Sequence, residues 1–217
     1  MSAKGVLINV SKGNNQYKNN DAFGNCVKYA CKEDEHADKL IGYRFFGVPN
    51  GLPIEEQIED AYTIQKLHDI DSRNGRRAAH MIYSIQETEF GEYGNNPELF
   101  MASCEEMARS VFDEGHQVFV ATHYNENNNN DDCAFIHAHI IVNNINYVNG
   151  KKYHKTKDQM HEMERCFNEI QGKYQRMSPV TFKNADYFRK IDAQYQALYS
   201  QTAKEQAAVT AYSQQNH

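Results

Sequence analysis

Residues 134–143 read AFIHAHIIVN, and residues 117–124, a short way before them, read QVFVATHY. Both stretches are rich in β-branched and aromatic residues and are bounded by polar segments, so each is expected to be a strand. In an extended 134–143, Phe135, His137, His139 and Ile141 share one face, while Ile136, Ala138, Ile140 and Val142 share the other. Residues two apart on a strand face stand about 6.5–7 Å apart at Cα, close enough for two imidazoles to converge on one ion. His123 ends the earlier stretch, and antiparallel pairing of the two strands brings a third imidazole to the same spot. Three neutral ligands leave a divalent ion its full charge and open coordination positions, as a Lewis acid requires. Two histidines inside an Ile/Val/Phe-rich strand are costly to bury without such a role.

Around this pair the chain alternates strands and helices. Strands are expected at 5–11, 41–48 and 78–86. Helices are expected at 22–32, with Asp21 as N-cap, at 53–68, with Pro53 in the first turn, and at 97–114, with Gly115 as the stop. In the first helix Phe23, Cys26, Val27 and Ala30 form the apolar stripe and Tyr29 falls at its flank. Residues 12–20 read as a polar loop. Asn149-Gly150 signals a hairpin between 145–148 and 151–154, and two more helices are expected at 157–175 and 184–212. This order predicts an α+β fold: a central, mainly antiparallel five-stranded sheet flanked by helices, in two or three layers. Residues 1–180 are read as one domain, and 181–217 as a helical extension leading to a further region.

The composition sets limits. The 217 residues are 40% hydrophobic, enough for a packed core, and no apolar run has the length of a bilayer span. The first ten residues do not read as a signal peptide. The five cysteines are odd in number and contain no CxxC pair, which opposes a disulfide framework or a cysteine zinc site and fits a reducing cytoplasm. The net charge is −6, yet it is unevenly spread. Residues 1–83 balance eleven basic against eleven acidic side chains, residues 84–135 hold one against eleven, and residues 136–217 hold eleven against seven. Such segregation permits a nucleic-acid face despite the acidic total.

Three segments together narrow the chemistry. IHAHIIVN preceded by VATHYNEN, the early helix GNCVKYACKED, and the middle strand SRNGRRAAHMIYSIQETEF resemble, in that order, the motifs of HUH endonucleases, specifically the conjugative and mobilisation relaxases of MobP-like type. The resemblance implies Tyr29 as nucleophile, His123, His137 and His139 as metal ligands, and Mn²⁺ or Mg²⁺ as cofactor. It also implies a monomeric, bacterial, mobile-element protein that nicks one DNA strand at a transfer origin. Its implied partners are single-stranded and hairpin DNA, accessory relaxosome proteins and a coupling protein. Relatives often carry an aspartate two residues after the first histidine. Here that position is Asn125, and Glu126 is the nearest acidic substitute, assigned a catalytic helper role.

A phenol ordinarily titrates near ~10, so the attacking hydroxyl needs a base or a nearby cation. Tyr17 and Tyr43 are the reserve nucleophiles, and Glu87 or Glu89 the reserve bases. Candidate DNA-binding residues are Arg73, Arg76 and Arg77 beside a turn, His80 and Ser84 on the middle strand, and Lys151, Lys152 and Lys155 around Tyr153. The chief rival is a rolling-circle replication initiator. Its two-tyrosine form is disfavoured because Asn25 and Glu33 occupy the positions four residues either side of Tyr29. A jelly-roll metalloenzyme is opposed by the proline-started helices.

Overall fold

The central strand is the one that carries the two histidines. It runs Ile136–Asn146 (β5), and every residue in it is buried except His137, which is half-buried. A strand covered on both faces tolerates an almost continuous apolar run, as this one shows in Ile136, Ala138, Ile140, Ile141 and Val142. The computed structural model describes residues 5–11, 15–31, 38–49, 51–68, 75–85, 97–125 and 136–175. Apart from residues 49–52, these belong to one compact unit.

The other strands are β1 (Gly5–Asn9), β2 (Asp38–Phe46), β3 (Ala78–Ile85) and β4 (His116–Asn125). The sheet order is β1-β3-β5-β4-β2, and each neighbouring pair is antiparallel. The helices are α1 (Ala22–Ala30), α2 (Ile54–Leu67), α3 (Pro97–Phe112) and α4 (Lys157–Gln175). The fold is α+β, as expected. On one face of the sheet, Phe23, Val27 and Ala30 of α1 and Ile58 and Ala61 of α2 pack on Phe45, Ala78, Phe119, Ala121 and Ile141. On the opposite face, Tyr83 of β3 stacks on Phe100 of α3 and meets Phe167 of α4 edge-on. The Tyr83 hydroxyl also donates to Gln171 and Asn168.

A buried amide network sets the seating of α2. Gln65 Nε2 donates to Asn143 Oδ1 at 2.9 Å, and Asn143 Nδ2 donates to Gln117 Oε1 at 2.8 Å and to the Ala61 carbonyl at 3.0 Å. Such a network is tolerable inside a core because its members satisfy one another.

Some local expectations are corrected. Part of the polar loop is a 3₁₀ turn, Asn15–Lys18. Asp21 occupies the N-cap position of α1, but its side chain makes no capping hydrogen bond. Instead the Tyr62 hydroxyl of α2 accepts the Gly24 amide at 3.0 Å, satisfying a donor left open in the first turn. Pro53 is itself the N-cap of α2 rather than a first-turn residue. The hairpin after β5 shrinks to a single bridge between Ile145 and Lys152. There Asn146 Oδ1 accepts the amides of Val148 and Asn149, closing the turn early. Gly115 does end α3, with φ +93° and its amide donating to the Phe112 carbonyl. The helix expected at 184–212, and with it the extension 181–217, lies outside the described residues.

Candidate active site

β4 and β5 pair so that His123 stands directly opposite His137, and Ala121 opposite His139. All three imidazoles therefore share the α1 face of the sheet. One nitrogen from each lies within 4.8 Å of the others, and the ring centroids are 5.1–5.2 Å apart. His123 and His139 are buried, while His137 keeps partial access to solvent. Burial, reinforced by the neighbouring imidazoles, pushes the His139 pKa down to about 2. The ring is thus neutral, the form that binds a cation. The donor set fits a divalent metal: three imidazole nitrogens converge, and one ring remains open to solvent.

The backs of the rings are held. His123 Nε2 donates to the Ala30 carbonyl at 3.0 Å. His139 Nδ1 lies 2.8 Å from Nε2 of His80, whose Nδ1 is 2.8 Å from the Tyr17 hydroxyl. Such outer contacts fix ring orientation and tautomer.

Tyr29 arrives from the other side. Phe23, Val27 and Ala30 turn inward to the sheet, so Tyr29 falls at the flank of α1 and is 48% exposed. Its ring meets His139 edge-on at 5.7 Å between centroids. The reserve tyrosines are placed differently. The Tyr17 hydroxyl is engaged with His80 and pushed up to about 12, chiefly by burial. Tyr43 stacks on Phe119 at 5.6 Å, on edge strand β2. A half-exposed phenol and a largely buried three-imidazole cluster thus meet at one spot.

A family model described as the MobA/VirD2-like relaxase nuclease domain matches residues 29–176, more than half of the chain. The chain belongs to this relaxase family. The match begins at Tyr29 and takes in all three histidines and all of α4. No curated protein and no solved structure matches.

The remaining candidates in this relaxase domain divide. Ser84 stands directly opposite His137 and lies beside the triad. His80 is only 5% exposed and makes its contacts to Tyr17 and His139, which leaves it little surface for DNA. Arg77 is 6% exposed, which is equally unsuited to gripping a phosphate. Arg76 Nη1 donates to Ser11 Oγ at 2.9 Å. The Lys155 ammonium is held by the Glu114 carboxylate at 2.6 Å, so its charge is largely offset. Lys151 is exposed and Lys152 half-buried. The Arg77 carbonyl accepts the Asn144 amide, and Lys152 bridges Ile145. Five to six residues of β5 at about 3.3 Å each therefore place this basic group roughly 17–20 Å from His139. Arg73, Glu87, Glu89 and Glu126 lie outside the described residues.

Sequence reasoning missed two site features: the Tyr17–His80 link and the Ala30 carbonyl. Strand alternation puts His80, Ile82 and Ser84 on one face, a signal that held half of the first. Nothing in the sequence announces a carbonyl as a ring anchor.

Proposed function

We propose that this domain nicks single-stranded DNA at a transfer origin, with Tyr29 as nucleophile and His123, His137 and His139 as ligands of Mn²⁺ or Mg²⁺. The observation that carries the reading is the half-exposed Tyr29 ring edge-on to a histidine of a three-nitrogen cluster. A divalent ion held by His123, His137 and His139 would supply positive charge against the negative charge that builds on the scissile phosphate in the transition state. Tyr29 gives up its phenolic proton to solvent and forms the new O–P bond, the bond from phosphorus to the 3′ oxygen breaks, and that oxygen takes up a proton from solvent and leaves as a hydroxyl. The product is a 5′-phosphotyrosyl strand. Because one phosphodiester is exchanged for another, the same site can rejoin the strand without a nucleotide cofactor. Only an unpaired strand lets one phosphate reach a phenol and a cluster set against a sheet, so hairpin or duplex DNA is held beside the nick, with Ser84 placed to touch the strand. Arg76 and the exposed Lys151 lie too far along the sheet for the scissile phosphate and serve the flanking DNA.

The test is incubation with single-stranded oligonucleotides from the protein's own genetic element and Mn²⁺, read by intact mass. The wild-type chain gains the mass of the 3′ fragment and Tyr29→Phe does not. An adduct formed by Tyr29→Phe at the normal rate refutes the assignment.

A further inference from the structure

The strand-transfer reading accounts for the triad and Tyr29 but leaves two polar groups without a purpose, the half-buried Tyr17 and the buried His80. They are joined in series to His139, with 2.8 Å between Tyr17 Oη and His80 Nδ1 and 2.8 Å between His80 Nε2 and His139 Nδ1. The link from β3 to β5 is diagonal, because Ile82, not His80, stands opposite His139. Two hydrogens serve these two contacts, and they can run in either of two directions. If they run inward, from the phenol, His139 accepts at Nδ1, and its own hydrogen sits on Nε2. That nitrogen then has no lone pair for a cation. If they run outward, His139 donates from Nδ1 to His80, His80 donates from Nδ1 to Tyr17, and His139 Nε2 is a ligand. The outer end of the series favours the second direction. The Tyr17 hydroxyl has Cys26 of α1 as a further side-chain partner to take its own hydrogen.

His123 is held by the same logic. A carbonyl oxygen can only accept, so the contact to Ala30 fixes the hydrogen of His123 on Nε2 and its lone pair on Nδ1. Tyr17 lies in the 3₁₀ turn, and Cys26 and Ala30 lie in α1. The turn is tied down where the Arg77 amide donates to the Tyr17 carbonyl at 2.7 Å.

We propose that Tyr17 and His80 are positioning residues that hold His139 as the Nδ1–H tautomer and so present its Nε2 to the metal. On this proposal the segment Asn15–Ala30, which carries the Tyr29 phenol, is also the outer shell of the metal site. The proposal rests on the reading of the triad as a metal site. Nucleophile and ligand geometry are then linked through this segment and His80 of β3.

The experiment uses the full chain and two readouts. Long-range proton–nitrogen spectra of the metal-free protein report the His139 tautomer, and calorimetric titration with Mn²⁺ reports affinity. Wild-type His139 is expected as Nδ1–H. His80→Leu, which removes the acceptor, is expected to lose that tautomer and to bind Mn²⁺ about 10–100-fold more weakly, the usual cost of an outer-shell partner. His80→Gln, which offers an acceptor oxygen near the position of Nε2, is expected to recover most of the affinity. Tyr17→Phe keeps the ring and removes only the hydroxyl, so it reports on the relay even if His80→Leu does not fold; it is expected to give a mixed His139 tautomer and weaker binding. An Nε2–H tautomer in the metal-free wild type overturns the proposal. So does Mn²⁺ binding of wild-type strength in His80→Leu and Tyr17→Phe. A wild-type chain that shows the Nδ1–H tautomer yet takes up no Mn²⁺ overturns the metal-site reading, and the ligand-presenting role falls with it.

Discussion

Substituting Gly24 by Ala sets two opposed effects against each other. In an isolated helix the change favours folding by about 1 kcal/mol, because alanine is the better helix former. In this protein a Cβ at position 24 lies 2.6 Å from the Tyr62 hydroxyl and 2.9 Å from Ile58 Cγ2, both well inside van der Waals contact. Tyr62 is half-buried and can swing aside, but doing so breaks its hydrogen bond to the Gly24 amide, at a cost of about 1 kcal/mol. Ile58 is 3% exposed and has no such freedom. Overpacking of that kind costs about 1–3 kcal/mol. The losses outweigh the gain, and the expected net change is a destabilisation of about 1–3 kcal/mol. In urea this appears as a lower midpoint with an unchanged slope. The strain lifts α1, so adduct formation should slow as Tyr29 and the Ala30 carbonyl retreat from the histidines. In a Tyr62→Ala background the share of the penalty tied to the lost hydrogen bond, about 1 kcal/mol, should vanish, while the contact with Ile58 remains. A Gly24→Ala chain as stable as its parent, nicking at the parental rate, would refute the claim that α1 is seated by this contact.

Three further outcomes follow from the same coordinates. Phe167→Ala removes a fully buried ring from the far face and should cost about 3–5 kcal/mol in urea unfolding while leaving Mn²⁺ affinity intact; a loss of affinity would mean that the two faces are coupled. His137→Ala removes the most accessible imidazole of the triad and should weaken Mn²⁺ binding measured by calorimetry by at least about tenfold, and an unchanged titration would point to another ligand set. Burial holds the pKa of His116 below its ordinary value, so below about pH 6.5 the unfolded chain binds a proton that the folded chain does not. Its contribution to stability is therefore complete above that pH and is lost as the pH falls toward the lowered folded value. His116→Gln should flatten urea stability against pH in that window, and an unaltered slope would contradict the assignment.

The elements that proved legible are those whose pattern is local. Alternation in 134–143 places both histidines on one face, and the end of the preceding strand supplies the third. The i, i+4, i+7 spacing of Phe23, Val27 and Ala30 leaves Tyr29 at a flank. What was illegible depends on register and reach. His80 could be assigned to a face but not to a neighbour, because only the β3–β5 register brings it diagonal to His139. The arginines and lysines looked like one DNA-binding set because basic residues flank both strands in sequence. Each residue of an extended strand carries the chain about 3.3 Å onward, so the flanks lie at the opposite end of the sheet from the histidines. Arg77 shows a further limit. Its type predicts exposure, yet its carbonyl accepts bonds from Gln65 and Asn144, and this anchoring draws the residue into the core.

The acidic total, which spoke against a polyanionic partner, weighs less among the described residues once their charges have positions. The described acidic residues of 84–135 lie on α3 and the turn after it, in the layer across the sheet from α1 and the triad. Several already face cations there: Glu105 with Arg44, Glu106 with Lys173 and Glu114 with Lys155. These pairs stabilise little, since exposed ion pairs contribute roughly 0–1 kcal/mol, but they do shorten the reach of each carboxylate. Layers pack about 10 Å apart, so α3 stands about two layers from the α1 face, beyond the screening length of about 8 Å at physiological salt. Among the described residues, a strand approaching Tyr29 meets the imidazole cluster and any cation it holds ahead of the carboxylates of α3.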